Sequence, residues 1–139
     1  ACSRVFMSYR SFEDLEVWQA ACRLSVDVYK ILHGCKDFGL KDQMTRAAVS
    51  IASNIAEGAE RSSQVDFARF VHIAKGSAAE LRTQLYIAHR IGVVSAEDQQ
   101  RLTTELKSLS GKLHRLAQAL TQASSVKELP DSLYLTPNT

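Results

Sequence analysis

The stretch of sequence that decides the fold spans residues 38–58 and reads FGLKDQMTRAAVSIASNIAEG. Its apolar residues recur every three or four positions, which is the spacing of one face of an α-helix. They are Leu40, Met44, Ala47, Ala48, Ile51, Ala52, Ile55 and Ala56, and Ala59 extends the series. Because many of these residues are alanines, a neighbouring helix can approach closely. We therefore predict one closely packed helix that ends near Gly58.

Three other segments have helical periodicity. The first segment of the chain, from Phe12 to His33, carries apolar residues around most of its circumference, which predicts burial on more than one side. The third segment keeps its period from Phe67 up to Gly92, a glycine placed to end a helix in the left-handed conformation. The fourth has a leucine seam typical of coiled-coil-like packing. Its residues are Leu102, Leu106, Leu109, Leu113, Leu116 and Leu120.

The helix starts are marked by local signals. Ser11, Ser63 and Ser95 each precede an aspartate by three residues, and a serine oxygen can accept a hydrogen bond from a free N–H group of the first turn. The connections between segments are short, so consecutive helices turn back on one another. The sequence predicts an all-α, antiparallel, up-down-up-down four-helix bundle over residues 11–123. Residues 1–10 are predicted to be an N-terminal tail, and residues 124–139 an irregular C-terminal tail.

Length and composition are those of one cytoplasmic domain. The chain has 139 residues, of which 45% are hydrophobic, and a formal net charge of +2. This is enough apolar material for one core, and the charge lacks the basic excess that marks a nucleic-acid binder. The cysteines Cys2, Cys22 and Cys35 form no C-x-x-C pair, and no apolar run reaches the length of a membrane span. We predict a cytoplasmic location and no membrane partner.

No pattern typical of an enzyme or a metalloprotein is visible in the sequence. Di-iron bundles need a glutamate three residues before a histidine, and His33, His72, His89 and His114 all lack one. No group of histidines and cysteines has zinc spacing. The turn from Gly34 to Gly39 lacks the Lys-Ser or Lys-Thr pair of a phosphate loop. We therefore predict no catalytic residue, no metal ion and no cofactor.

The third helix has apolar residues outside its predicted core stripe. Ile73, Gly76 and Ile87 fall on the side that should face water in a single bundle. A glycine in the middle of a helix costs roughly 1 kcal/mol relative to alanine, and it is most easily explained where another backbone comes close. These three residues are therefore the predicted subunit interface of a homo-oligomer.

A set of polar residues lies close to the apolar faces of the second and third helices. Its members are Asn54, Glu57, Ser77 and Glu80, and Arg46, Arg61 or backbone groups are the expected donors to them. Because an unpaired buried carboxylate or amide is costly, we expect these side chains to form a satisfied structural network. The network would fix the register of the helices or join subunits, and a ligand site is the less favoured interpretation.

Positive charges follow one sector of the third helix. Lys75, Arg82 and Arg90 are spaced by seven and eight residues, which places them on one side of that helix. The turn before this helix and the fourth helix add further charges. The full set of candidate residues for binding nucleic acid is Arg61, Lys75, Arg82, Arg90, Lys107, Lys112 and Arg115. These side chains predict contacts to RNA or DNA phosphates, and the alternative is that they only solvate the surface.

Three blocks in a fixed order carry a resemblance to a known family. Residues 12–18 follow the pattern Phe-x-x-Leu-x-x-Trp, residues 38–58 are quoted above, and residues 70–85 read FVHIAKGSAAELRTQL. Together they resemble the bacterial four-helix bundle proteins encoded in intervening sequences of 23S ribosomal RNA genes, the S23-like family. The resemblance covers roughly residues 9–120 and implies a closed homopentameric ring of four-helix protomers.

The resemblance also suggests partners. The positions that match the family's motifs are Arg46, Asn54, Glu57, Gly58, Gly76, Ser77 and Glu80. A related fold occurs in the accessory protein of diversity-generating retroelements, a basic ring that contacts a reverse transcriptase and nucleic acid. This chain differs from that protein in its nearly neutral charge. We predict a non-enzymatic, self-associating scaffold that contacts structured RNA or DNA, with a reverse transcriptase or another protein as a further partner. The alternative is a protein-only adaptor.

Overall fold

The computed structural model describes residues 11–122 and 129–135. These residues contain four α-helices, namely α1 (Glu16–Ile31), α2 (Phe38–Ala59), α3 (Gln64–Arg90) and α4 (Ala96–Gln122). Each helix packs against the next one along the chain, and α1 also packs against α4 over a smaller area. The prediction of an all-α four-helix bundle is confirmed. The N-terminal tail predicted for residues 1–10 lies outside the described residues, as do residues 123–128 and 136–139 of the C-terminal region.

The core is formed by the stripes that the sequence patterns indicate. The predicted leucines of α4 are all buried, and the small-residue face of α2 packs against α3. Side chains with no more than 1% exposure reach the centre from every helix, because each helix turns one apolar face inward. The largest of them are Leu32, Met44, Ile51, Ile55, Leu81, Leu85, Leu102, Leu106, Leu113 and Leu116.

Two of the three predicted serine caps begin helices of the bundle. The Ser63 hydroxyl accepts a hydrogen bond from the backbone N–H of Asp66, and Ser95 does the same for Asp98, both at 3.1 Å. Each serine thus satisfies an N–H group that has no carbonyl partner within its helix.

Ser11 differs from this prediction. Ser11 caps only a short 3-10 helix, Phe12–Asp14, and α1 starts later, at Glu16, without a side-chain cap. The reason is Leu15, whose extended backbone (ψ 127°) separates the two helices while its side chain is buried. Leu15 forms an antiparallel bridge with Tyr134, near the other end of the chain.

The end of α3 confirms the predicted role of Gly92. Gly92 has a φ of 81°, which is the left-handed region that a glycine adopts without strain. Its N–H donates to the carbonyl of His89 at 3.0 Å, and the N–H of Val93 donates to the carbonyl of Ala88 at 2.8 Å. This pair of hydrogen bonds is a Schellman motif, and it satisfies carbonyls at the end of the helix.

Gly58 allows α2 and α3 to approach closely. A Cβ atom at this position would lie 2.7 Å from Phe70 Cβ and 3.1 Å from Phe67 Cδ1. Both neighbours belong to the first part of α3, which directly follows the turn. The small-residue packing predicted for the second helix therefore has its tightest point at Gly58.

Part of the predicted C-terminal tail packs onto the bundle. Residues 129–135 contain a short 3-10 helix, Asp131–Leu133, and the buried side chain of Leu129. The N–H of Leu135 donates to the carbonyl of Asp14 at 3.0 Å. This segment therefore packs against the start of α1, and apart from its 3-10 helix it is irregular.

α1 buries only one side within a single protomer. Val17, Ala21, Leu24 and Val28 face the core, whereas Val26 and Tyr29 are 53% and 52% exposed. The burial on several sides that the sequence predicts is therefore not reached within the described residues, because Val26 and Tyr29 stay exposed although α2 and α4 both pack against this helix.

Candidate interaction surfaces

The outer face of α3, defined by Ile73, Gly76 and Ile87, is exposed in the protomer. Ile73 and Ile87 are 43% and 49% exposed, which places them where the sequence pattern predicted. No heavy atom outside the local helix lies within 4 Å of a Cβ built on Gly76. Gly76 thus differs from Gly58, because nothing inside the protomer requires a glycine at this position.

A hydrogen-bonded chain of polar side chains joins α2 and α3 beside this outer face. The hydroxyls of Ser50 and Ser77 are 2.9 Å apart. The amide of Asn54 donates to the carbonyl of Ser50 at 2.8 Å and to its hydroxyl at 2.9 Å. Asn54 and Ser77 are therefore connected through Ser50. Sequence reasoning missed Ser50, because a serine on a helix is not distinctive.

The remaining members of the predicted network are not part of this chain. Arg46 pairs with Asp42 at 2.9 Å, and Glu57 pairs with Arg61 at 3.0 Å. Glu80 accepts a hydrogen bond from Gln84 Nε2 at 3.4 Å. Each pair is formed within one helix or its end, since side chains four residues apart lie next to each other on a helix. The predicted network is thus replaced by one cross-helix contact and three local pairs.

Basic side chains of α3 and α4 meet between these two helices. Lys75 Nζ lies 3.2 Å from His114 Nδ1, so the ammonium group donates to the imidazole across the helix boundary. Arg82 follows Lys75 by two turns, and Lys107 precedes His114 by two turns, which places all four on adjoining faces. We call Lys75, Arg82, Lys107 and His114 the basic strip. His114 was not among the predicted binding residues.

The cationic side chains of the basic strip differ from most of their neighbours in forming no ion pair with a described carboxylate. Within residues 11–122 and 129–135, the ion pairs involve none of Lys75, Arg82 and Lys107. The Nε atom of Arg82 is buried and has no hydrogen-bond partner in the same part of the chain. The strip therefore presents a local positive potential despite the small net charge of the protein.

The other predicted binding residues lie apart from the basic strip. Arg61 has its guanidinium 4.9 Å from the ring centroid of Phe70 and also pairs with Glu57, so it stabilises the α2–α3 turn. Lys112 forms an ion pair with Glu16 of α1. Arg115 lines a cavity of about 370 Å³ between α4 and the C-terminal segment, and Arg90 is exposed at the end of α3. Among the described residues, Lys75 contacts His114 directly, and helical spacing places Arg82 and Lys107 on the same two helix faces.

The described part of the chain holds no cluster of metal-ligand side chains. No group of three or more histidine, cysteine, aspartate or glutamate residues is arranged to bind a metal ion there. Burial raises the pKa of the Cys22 thiol, and the charge of Arg23 opposes this rise. A raised pKa keeps the thiol protonated and weakens it as a nucleophile. None of the described helices combines the length and the hydropathy that crossing a membrane requires.

The fold defines the class of this protein, which is an all-α four-helix bundle. Residues 13–115 match the family described as 23S rRNA-intervening sequence protein, and the chain belongs to that family. The predicted family is therefore confirmed. The relation to the retroelement accessory protein stays a prediction.

A solved structure supports the fold. It is the crystal structure of a protein with unknown function from the S23 ribosomal protein family of Bacteroides thetaiotaomicron. Its sequence is 24% identical, the match covers 73% of this chain and 98% of that chain, and the TM-score is 0.69. At this identity the similarity shows the fold alone. No curated protein matches the chain.

Proposed function

We propose that this protein is a non-enzymatic cytoplasmic scaffold that assembles with copies of itself and contacts the phosphates of structured RNA or DNA. Assembly uses the outer face of α3, and phosphate binding uses the basic strip. The main support for the proposal comes from Gly76 in the middle of α3. A Cβ built on this glycine would have no neighbour within 4 Å, and Ile73 and Ile87 on the same face of the helix are exposed. Family membership is consistent with this role but assigns no biochemical activity.

Self-association is supported by the stability that a single protomer loses at the outer face of α3. Gly76 costs roughly 1 kcal/mol of helix stability relative to alanine, and nothing in the protomer compensates for it. A second helix that packs against Gly76 would approach its backbone closely and would remove Ile73 and Ile87 from water. The resemblance implies five subunits, and the proposal adopts that number.

Phosphate binding is supported by the uncompensated charge of the basic strip. Lys75 and Arg82 carry positive charge without a carboxylate partner in the described residues, and Lys107 extends the strip on α4. A ring would repeat the strip in every subunit, and repeated contacts multiply the affinity for a long polyanion. Binding of this kind depends strongly on salt.

Sedimentation velocity tests the assembly. Gly76→Leu places a large side chain on the outer face, where the protomer has room for it, so the bundle should fold and the oligomer should dissociate. Gly111→Leu is the matched control, because Gly111 lies in mid-helix on α4 and only the end of the Arg115 side chain is near it. If Gly76→Leu sediments like the wild-type protein, or if the wild type is monomeric, the proposed interface is overturned.

Salt-dependent gel shifts test the phosphate contacts. We expect wild-type protein to bind folded RNA and duplex DNA at low salt, and Lys75→Gln to weaken that binding and reduce its salt dependence by about one phosphate contact per subunit. Arg46→Gln is the matched control, since it removes one positive charge that is 79% exposed and paired with Asp42 outside the strip. Absence of binding at low salt would overturn this half of the proposal and leave the protein-only adaptor.

A further inference from the structure

The end of the bundle formed by the α1–α2 turn carries a second distinctive surface. Tyr29 and Val26, each about half exposed, line an open depression of about 490 Å³ together with Lys30, His33 and Lys41. A tyrosine that is 52% exposed offers a large part of its ring to a ligand. Neither the outer face of α3 nor the basic strip includes these residues.

A second exposed aromatic ring begins the helix that contributes Lys41 to this depression. Phe38 is 73% exposed and begins α2, three residues before Lys41. At 3.6 residues per turn, positions three apart lie about 60° from one another, so Phe38 and Lys41 share a face. We call Val26, Tyr29, Lys30, His33, Phe38 and Lys41 the aromatic–basic patch.

The charge around the patch is positive because Lys30 and Lys41 outnumber the one nearby carboxylate without a cationic partner, that of Asp37. Asp27 pairs with Arg101 at 3.2 Å, and Asp42 pairs with Arg46 at 2.9 Å. The side chain of Asp37 caps α2 by accepting a hydrogen bond from the backbone N–H of Leu40. Lys30 and Lys41 take part in none of the ion pairs of the described residues. The lysines are thus available to an anionic ligand.

The geometry points to a binding site for unpaired nucleotides at this patch. Aromatic rings beside lysines are the combination that single-stranded nucleic acid needs, because bases stack on the rings while the lysines contact the phosphates. Stacking on a ring requires an exposed base, so the site favours single strands over duplexes. A second copy of the same patch is disfavoured by the repulsion between like charges, and an acidic chain without planar rings would satisfy the lysines but would not stack on Tyr29 and Phe38.

This inference deepens the proposed nucleic-acid role and concerns a different surface. The test uses fluorescence anisotropy with three labelled probes: a single-stranded oligouridine, an abasic strand of equal length, and a duplex with the same number of phosphates. Wild-type protein should bind the oligouridine more tightly than the abasic strand. Tyr29→Leu and Phe38→Leu should each weaken binding of the oligouridine about tenfold or more and leave abasic and duplex binding unchanged.

The controls separate this site from the basic strip. Val65→Ser removes another exposed apolar side chain, 81% exposed at the opposite end of the bundle, and should bind all three probes like the wild type. Lys75→Gln should weaken duplex binding but keep the preference of the protein for the base-containing strand. A protein that fails to bind the duplex but still shows the effects of Tyr29→Leu would overturn the basic strip and support the patch.

Three results would overturn the patch as a nucleotide site. The first is unchanged oligouridine binding in both ring variants, with circular dichroism showing that they fold. The second is equal wild-type affinity for the abasic and the base-containing strand. The third is a loss of self-association or of acidic-peptide binding in Tyr29→Leu without any loss of oligouridine binding, which would assign the surface to a protein contact.

Discussion

Replacing Gly58 by alanine tests the closest approach between α2 and α3. The added methyl carbon would lie 2.7 Å from Phe70 Cβ and 3.3 Å from the backbone oxygen of Phe67. Both atoms are fixed to the backbone of α3, so no rotation of a flexible side chain relieves the overlap. Because carbon atoms pack at about 3.5–4.0 Å, the two helices must move apart locally.

Two opposing terms set the size of the effect. Overpacking typically costs about 1–3 kcal/mol, and the short distances place Gly58→Ala at the upper end of that range. Alanine in place of a helical glycine contributes at most about 1 kcal/mol in the opposite direction, because Gly58 is the penultimate residue of α2. The expected net loss is about 2 kcal/mol. At about 4 °C per kcal/mol for a chain of this length, the melting temperature falls by roughly 8 °C.

Gly111→Ala is the matched control for this experiment. The nearest atom to a Cβ at Gly111 is Arg115 Nη1 at 3.6 Å, an ordinary contact with the end of a flexible side chain. Gly111→Ala therefore gains the higher helix propensity of alanine without an overpacking cost, so the melting temperature should rise by roughly 4 °C. Calorimetry at one fixed protomer concentration measures both variants, since assembly makes melting depend on concentration. A Gly58→Ala protein that melts at or above the wild-type temperature would refute the close approach.

Two further predictions concern the helix ends. Ser63→Ala removes the oxygen that accepts a hydrogen bond from the N–H of Asp66, so the free energy of unfolding in urea should fall by about 1 kcal/mol. Ser11→Ala should lower it much less, because the 3.4 Å hydrogen bond of Ser11 caps only a short 3-10 helix. Equal losses for the two serines would contradict this assignment. Gly92→Ala forces a Cβ into a backbone with φ 81° and should cost about 1–2 kcal/mol. Gly92→Asn should cost less than Gly92→Ala in the same assay, because asparagine tolerates the left-handed region.

The positions of α2, α3 and α4 could be predicted because their signals are local. An apolar period, a serine cap such as Ser63 and a terminal glycine such as Gly92 each act within a few residues. Their effect does not depend on which helix lies alongside. For this reason the sequence alone also predicts the bundle, since short turns leave consecutive helices only one way to pack.

The start of α1 could not be predicted, because it depends on a distant part of the chain. Leu15 leaves the helical conformation where it pairs with Tyr134. No local pattern contains that contact. A serine followed by an acidic residue at Ser11 therefore resembles the start of a long helix, although it begins only a single 3-10 turn.

The candidate surfaces could be predicted only in part, for a related reason. Helical phase places Lys75 and Arg82 on one side of α3, but their partner His114 depends on which face of α4 meets that side. Tyr29 has the same helical spacing as the apolar residues of α1 that are buried, so the spacing alone does not show that it is exposed. Its exposure follows from the number of helices available to cover α1, which the pattern of one helix does not contain.

The segment that covers the start of α1 has a practical consequence for labelling. Because Leu135 is hydrogen-bonded to Asp14, the chain enters and leaves the bundle at one pole. Tyr29 lies at the other pole, about 20 Å away along α1 at a rise of about 1.5 Å per residue. A fluorophore or affinity handle attached directly at residue 11 or residue 135 is therefore far from the aromatic–basic patch. Both attachment points can be used in binding assays, and a donor at either one with an acceptor on bound RNA gives a distance readout of occupancy.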